Sequence, residues 1–125
     1  MAPNVLYIED NPDNTMLVRR ALEARGYKLL HAPNGTKGIE VAETEHVELI
    51  LLDINLPDID GYEVAHRLRT SSKTRLAQIP IIAVTANAMK GDDRKVLEAG
   101  CTKYMAKPIN IQELMDTVDD LLGKA

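Results

Sequence analysis

Three short apolar runs in this chain are unbroken, and they restrict its possible folds more than any other feature. They are Val5-Leu6-Tyr7-Ile8, Leu49-Ile50-Leu51-Leu52 and Ile81-Ile82-Ala83-Val84. A strand with one face in water alternates apolar and polar residues, whereas a strand covered on both faces is apolar throughout. Strands of the second kind are typical of parallel sheets. The runs therefore predict a parallel sheet with helices on both faces.

Two weaker runs complete the predicted sheet. Leu29-Leu30, followed by His31-Ala32, suits an edge strand, and Tyr104-Met105-Ala106 supplies the fifth strand. Segments with helical spacing separate the strands, so the chain repeats strand and helix five times. This order predicts one α/β domain, a doubly wound (βα)5 unit with right-handed crossovers. We assign residues 1–125 to this domain, with a core of about 4–122.

The predicted helices differ in the width of their apolar stripes. The last helix has the clearest stripe and begins with Asn110 and Glu113, which resemble a capping box. The helix after the fourth strand, around 88–99 and ending at Gly100, has only Met89, Val96 and Leu97, so we expect it to be the least firmly packed. The other predicted stripes are Leu17, Val18, Ala21 and Leu22, with Gly26 as the stop, and Tyr62, Ala65 and Leu68.

Composition excludes several classes of protein. The net charge of −4 argues against nucleic-acid binding, which requires a basic surface. The single cysteine, Cys101, rules out an internal disulfide and is expected to be a small buried side chain. The apolar runs are far shorter than the roughly 20 residues of a membrane span. With no basic leader at the start, we expect a cytoplasmic protein without membrane insertion.

Chemically useful side chains follow four of the predicted strands. Parallel strands bring their carboxyl ends to one edge of the sheet, where ligands of such folds bind. Crowded carboxylates repel one another unless a cation lies between them, and oxygen ligands favour Mg²⁺ or Mn²⁺ over zinc. The residues are Glu9 and Asp10 after the first strand, Asp53 after the third, Thr85 after the fourth and Lys107 after the fifth.

This set is suited to phosphoryl transfer. A metal ion, the Lys107 ammonium and the Thr85 hydroxyl around the Asp53 carboxylate would neutralise and position a phosphoryl group, and these effects supply most of the catalysis in such reactions. Asp53 would then be the nucleophile and would become an aspartyl phosphate.

Four motifs in order, each at a predicted strand end, resemble the response-regulator receiver domain of two-component signalling. The resemblance covers nearly the whole chain and implies a flavodoxin-like sheet with strand order 2-1-3-4-5. The motifs are Ile8-Glu9-Asp10-Asn11, Leu51-Leu52-Asp53-Ile54-Asn55-Leu56-Pro57 with Asp60-Gly61, Val84-Thr85-Ala86, and Tyr104-Met105-Ala106-Lys107-Pro108.

The resemblance also implies a role for each matching residue. Asp53 would be the phosphoacceptor, and Mg²⁺ (or Mn²⁺) would be held by Glu9, Asp10 and Asp53, with Asp10 the more direct ligand. The backbone carbonyl of Asn55 would complete the metal site. The remaining implied roles are those of Thr85 as switch hydroxyl, Lys107 as its charged partner, Tyr104 as an aromatic switch that turns inward, and Lys107-Pro108 as a cis peptide.

The family implies partners rather than independent enzyme activity. A sensor histidine kinase or a histidine phosphotransfer protein would supply the phosphoryl group, and the chain would catalyse only its own phosphorylation and dephosphorylation. The resemblance further implies that Asn55 and Asn87 occupy positions that tune the dephosphorylation rate. The donor is expected to dock near Asn11, Asn14 and Leu17. A downstream effector protein would bind the surface formed by the fourth and fifth predicted helices and the fifth strand.

Other interpretations remain open at this stage. An aspartyl-phosphate phosphohydrolase would need a second acid where Asn55 stands, and a flavin or nucleotide site conflicts with the acidic loop 9–13. A receiver that acts only as a scaffold is possible in principle, although every reactive position is filled. The chain is expected to be a stand-alone receiver, or alternatively a receiver excised from a hybrid histidine kinase.

Overall fold

The computed structural model describes residues 3–86 and 92–123. Its strands are β1 (Asn4–Ile8), β2 (Lys28–Ala32), β3 (Leu49–Asp53), β4 (Ile81–Thr85) and β5 (Lys103–Ala106). Its helices are α1 (Pro12–Ala24), α2 (Gly35–Thr44), α3 (Gly61–Arg69), α4 (Thr74–Gln78), α5 (Asp92–Glu98) and α6 (Ile111–Leu121).

All the strand pairs are parallel, and the sheet order is β2-β1-β3-β4-β5. The unbroken runs form the three inner strands, and every residue of β3 and β4 is buried. The weak second run forms an edge strand. The predicted fold class, strand order and edge position of β2 are thus confirmed.

Each face of the sheet is covered by its own set of helices. Val18 and Leu22 of α1 pack with Leu114 and Val118 of α6 on one face. The other face holds the buried side chains of α2, α3, α4 and α5, among them Ala42, Val64, Leu68, Leu76 and Val96. Alternate residues of one strand enter different clusters, with Val5 and Tyr7 on the α1 side and Leu6 and Ile8 on the other.

Local side-chain and backbone groups cap the helix ends, as predicted for Asn110 and Gly26; the cap at Asn11 was not predicted. Asn110 Oδ1 accepts from the backbone N–H of Glu113 at 3.0 Å, and Asn11 Oδ1 accepts from Asp13 N–H at 2.8 Å. Gly26, just after α1, has a φ of 86°, a conformation that glycine adopts without steric cost. These caps satisfy backbone groups that a helix end leaves without an intrahelical partner.

Three details correct the sequence-based expectations. Helix α4 was not predicted, because five residues with one buried side chain, Leu76, do not establish a helical period. Leu17 was placed in the apolar stripe of α1 but is exposed. Of the stripe predicted after β4, Val96 is buried and Leu97 is exposed, while Met89 and the predicted start of this helix lie outside the described residues.

Among the described residues, no helix has both the length and the apolar character needed to cross a membrane.

Candidate functional site

Three carboxylates meet at the carboxyl edge of the sheet. Glu9 and Asp10 directly follow β1, and Asp53 ends β3, the neighbouring strand. One ligand oxygen from each of them lies within 4.8 Å of the others. Glu9 and Asp53 are buried, whereas Asp10 is exposed at the mouth of the cluster. The parallel register therefore creates a concentrated negative charge around a small space.

Glu9 is held by one of its two oxygens. Its Oε1 accepts from the backbone N–H of Asn11 and from Asn14 Nδ2, both at 3.2 Å. Its Oε2 is buried and has no hydrogen-bond partner among the described residues. Burial and the neighbouring Asp53 carboxylate raise the pKa of Glu9 to about 7. A buried carboxylate oxygen without a partner is expensive, which indicates that this position suits a cation.

Both oxygens of Asp53 are engaged by different parts of the chain. Oδ2 accepts from Lys107 Nζ at 2.9 Å, and Oδ1 accepts from the backbone N–H of Asn55 at 2.9 Å. The lysine reaches the aspartate from the loop after β5, two strands away in the sheet. Asp53 is thus oriented by a positive charge on one side and by its own following turn on the other.

Thr85 and Lys107 are linked through the backbone at the adjacent strand ends. The N–H of Lys107 donates to the carbonyl of Thr85 at 2.9 Å, and the peptide bond between Lys107 and Pro108 is cis. Thr85 ends β4 and is buried, and its register partner in β5 is Ala106. Tyr104 lies nearby in β5 with 37% of its surface exposed. The structure therefore brings Asp53, Thr85 and Lys107 to one edge, while Tyr104 lies two residues before Ala106 in β5, in register with Ala83.

Gly61 is a residue whose importance the sequence-based argument did not recognise. Its backbone N–H donates to the carbonyl of Ile54 at 2.9 Å, which closes the turn of residues 54–60. A Cβ atom at this position would lie 2.6 Å from Ile54 Cα and 2.9 Å from the carbonyl oxygen of Asp53. Only a glycine allows α3 to begin this close to the end of β3. The signal was present in the Asp60-Gly61 pair.

A buried phenol beside the site was also missed. Tyr7 is completely buried in β1, and its hydroxyl has no hydrogen-bond partner among the described residues. Burial, with the charges of Glu9 and Asp53, raises the pKa of this phenol well above its ordinary range. The sequence presented Tyr7 only as part of an apolar run.

A cavity of about 390 Å³ opens next to the site, between α1 and the loop after β5. Its lining residues are Asn14, Leu17, Val18, Lys107, Pro108 and Ile109. Asn14 also binds Glu9, and Lys107 also binds Asp53, so the wall of the cavity and the acidic cluster share two side chains. A group bound in the cavity would lie beside the carboxylates.

The residues present fit a hard divalent cation. The clustered side chains of Glu9, Asp10 and Asp53 offer carboxylate oxygens as ligands, and one of these oxygens is buried without a hydrogen-bond partner among the described residues. Burial and the neighbouring Asp53 carboxylate raise the pKa of Glu9, and a bound cation would offset both effects. Asn55 is placed at the edge of this cluster by its N–H bond to Asp53. Asn87, the other position expected to tune dephosphorylation, lies outside the described residues.

Comparison with known proteins identifies the family. The family model for the response regulator receiver domain matches residues 5–119. The polar-differentiation response regulator DivK of Brucella ovis is 39% identical over 125 residues, all of this chain and all of that protein.

Solved structures agree. The receiver domain of a sensor histidine kinase from Pseudomonas aeruginosa PAO1, with a magnesium ion coordinated in its active-site cleft, is 33% identical with a TM-score of 0.89. That match covers 99% of this chain and 100% of the other. The chemotaxis response regulator CheY4 of Vibrio cholerae, 22% identical over 97% of this chain and 99% of its own, has the same fold with a TM-score of 0.89. With a family model spanning most of its length and an acidic cluster at the expected strand ends, the chain belongs to the response regulator receiver domains, a family of signalling proteins.

Proposed function

We propose that Asp53 accepts a phosphoryl group from a phosphohistidine, with Mg²⁺ (or Mn²⁺) held by Glu9, Asp10, Asp53 and the Asn55 carbonyl. The observation that carries this proposal is the position of Asp53, buried between the Lys107 ammonium at 2.9 Å and two further carboxylates. A carboxylate in this position is oriented for attack and lies beside a positive charge. The magnesium-bound receiver from Pseudomonas aeruginosa supports the choice of metal.

In the transfer, a carboxylate oxygen of Asp53 forms a bond to phosphorus while the bond from phosphorus to the imidazole nitrogen of the donor breaks. The electron pair of that bond leaves with the imidazole. A bound divalent cation supplies charge neutralisation for the phosphoryl oxygens. Lys107 offsets the remaining negative charge, and the Asn55 N–H keeps the carboxylate from rotating. Hydrolysis of the acyl phosphate by water returns the chain to its starting state.

Phosphorylation would alter the surface made by α5, β5 and α6, the three elements after β4. Thr85 would bond to the phosphoryl group, and Tyr104, now 37% exposed, would turn inward. A downstream effector protein would read this change. Such control requires two conformations whose free energies differ by only a few kcal/mol, so that phosphorylation can change which one is populated. We assign the chain to the cytoplasm and treat residues 1–125 as one domain.

The phosphoryl donor, a histidine kinase or a histidine phosphotransfer protein, would dock on the cavity beside α1. Leu17 lines this cavity and is 51% exposed, whereas its neighbour Met16 is 55% exposed and does not line it. This pair provides a matched test. Leu17→Arg should slow transfer from a phosphorylated donor at least tenfold, while Met16→Arg should not. Neither change should affect phosphorylation by acetyl phosphate, and equal effects of the two on transfer would contradict the docking site.

The phosphoryl chemistry is tested by intact mass after incubation with Mg²⁺ and acetyl phosphate. We expect one phosphoryl adduct that requires the metal and is absent from Asp53→Asn. If rapid quenching yields no adduct, a titration with beryllofluoride followed by NMR separates fast hydrolysis from an inactive site. Unchanged spectra in that titration would overturn the proposal.

A further inference from the structure

The turn between β3 and α3, residues 54–60, is bonded to the start of α2 through Asp58. The Asp58 carboxylate accepts from the backbone N–H of Gly35 at 2.8 Å and from the N–H of Thr36 at 2.9 Å. It also accepts from the Thr36 hydroxyl at 2.6 Å. Gly35 and Thr36 are the first two residues of α2, whose N–H groups have no partner inside the helix. The turn thus provides a helix cap from a distant part of the chain.

Apolar packing at the same place strengthens this connection. A Cβ atom on Gly35 would lie 2.5 Å from Ile59 Cγ1 and 2.8 Å from Val64 Cγ2. The backbone of α2 therefore touches the residue that follows Asp58. The Thr36 hydroxyl and the neighbouring N–H groups hold the pKa of Asp58 well below its usual range, so the carboxylate is charged at the positive end of α2.

A second cap of the same helix has no link to the turn. Asn34 Oδ1 accepts from the N–H of Lys37 at 2.8 Å. Asn34 directly precedes α2, and its side chain stabilises the helix from within the same segment. Asp58 and Asn34 therefore both stabilise the start of α2, but of these two side chains only Asp58 also restrains the turn.

The restrained turn carries a part of the acidic site. Asn55, the second residue of the turn, bonds through its N–H to Asp53 Oδ1, and Asp60 ends the turn by accepting from Glu63 N–H at 2.9 Å. Asn55, Pro57 and Asp58 are exposed, whereas Leu56 and Ile59 are partly buried, so burial fixes only alternate parts of the turn. The middle of the turn is held by the packing of Leu56 and Ile59 against the core and by the bonds of Asp58, which are its polar contacts with α2.

We propose that Asp58 is a positioning residue: its bonds to Gly35 and Thr36 hold the turn with Asn55 against Asp53 and so raise the affinity of the acidic cluster for a divalent cation. The inference rests on the proposed function, because it concerns the same metal site. It adds α2, which contributes no side chain to that site, to the elements that determine its geometry.

The test compares wild type, Asp58→Ala, Asn34→Ala and Thr36→Val by two measurements. The first is Mg²⁺ affinity from an NMR titration, and the second is hydrogen exchange of the Asn55 amide without metal. Asp58→Ala should weaken Mg²⁺ binding about tenfold, as loss of an outer partner of a metal site does, and should speed exchange at Asn55. Thr36→Val, which removes one of the three bonds, should have a smaller effect of the same kind.

Asn34→Ala is the matched control, because it removes a cap of α2 and leaves the turn bonded. It should lower stability while affinity and Asn55 exchange stay within twofold of wild type. Equal affinity in wild type and Asp58→Ala would overturn the inference, as would an equal loss in Asn34→Ala. Failure of the proposed function has a different signature: wild type itself would bind no Mg²⁺ and accept no phosphoryl group. Failure of the Asp58 inference alone would leave both properties of wild type intact.

Discussion

Lys107 Nζ lies 2.9 Å from Asp53 Oδ2, and the two partners differ sharply in exposure: 27% of the lysine side chain is accessible but only 1% of the aspartate. The lysine can therefore regain water if the pair is broken, whereas the aspartate cannot. Asp53 also lies beside Glu9 and Asp10, so Lys107 is the cation that offsets this cluster before metal binding.

Removing either partner of this pair should have opposite effects on stability without metal. Lys107→Met leaves a buried carboxylate uncompensated and should lower the free energy of unfolding by about 1–2 kcal/mol, less than for a fully buried pair because the lysine is partly exposed. Asp53→Asn relieves the repulsion with Glu9 and Asp10, and it should raise the free energy of unfolding by about 1 kcal/mol. Urea denaturation with EDTA measures both, and a loss of stability in Asp53→Asn would contradict the electrostatic argument.

Mg²⁺ should then stabilise wild type and leave Asp53→Asn nearly unaffected. A ligand that binds only the folded state raises the free energy of unfolding by about 2.7 kcal/mol at one hundred times its dissociation constant. Repeating the denaturation at increasing Mg²⁺ concentration measures this difference, with Ca²⁺-free buffer and matched ionic strength. An equal gain in the two proteins would place the ion elsewhere.

Gly61→Ala should disturb the site through the backbone. The added Cβ would approach Ile54 Cα and the Asp53 carbonyl to 2.6 and 2.9 Å, and neither atom can rotate away. We expect a loss of stability of about 2 kcal/mol and weaker Mg²⁺ binding, because the end of β3 must shift. Gly38→Ala is the control, since its Cβ would meet side-chain atoms of the buried Ile8, Cδ1 at 2.4 Å and Cγ1 at 2.8 Å, rather than backbone atoms next to Asp53. Mg²⁺ affinity should fall in the first variant and change little in the second.

The sequence predicted those features that depend on a single strand or helix. Unbroken apolar runs identified the inner strands, and polar residues at their ends identified Glu9, Asp53, Thr85 and Lys107, because parallel strands necessarily align their carboxyl ends. Asn110 and Gly26 marked helix boundaries through local backbone chemistry.

Features that depend on two distant segments were not predictable in the same way. The bonds of Asp58 to Gly35 and Thr36 join residues more than twenty positions apart, and no local pattern indicates them. Leu17 has the spacing of a core residue, yet the rotation of α1 on the sheet leaves it exposed. Helix α4 is held by tertiary contacts such as that of Leu76 rather than by its own period.

Cys101 should make stability fall at alkaline pH. Burial raises the pKa of its thiol from 9.0 to about 11, so the unfolded chain loses this proton at lower pH than the folded one. The contribution of the protonated thiol to stability is complete below pH 9 and is lost as the pH rises toward 11. Over this range the free energy of unfolding falls by at most about 1.4 kcal/mol per pH unit. Denaturation at pH 8, 9 and 10 should show a shallower decline in Cys101→Ala than in wild type. Parallel slopes would show that the thiol titrates normally when folded.

Tyr27, in the connection between α1 and β2, is bonded to α6 at a distance from the acidic cluster. Its hydroxyl donates to Asp119 Oδ1, and Arg25 Nη1 lies 2.5 Å from Asp119 Oδ2. Tyr27→Phe removes this hydrogen bond to a charged acceptor while keeping the buried ring, so it should lower the free energy of unfolding by about 1–2 kcal/mol. Because none of these residues contacts the acidic cluster, the rate of phosphorylation by acetyl phosphate should be the same as in wild type. Urea denaturation and a time course of intact mass measure the two quantities on one preparation. If the folded variant is phosphorylated more slowly than wild type, the bond between Tyr27 and Asp119 influences the site, which the observed hydrogen bonds give no reason to expect.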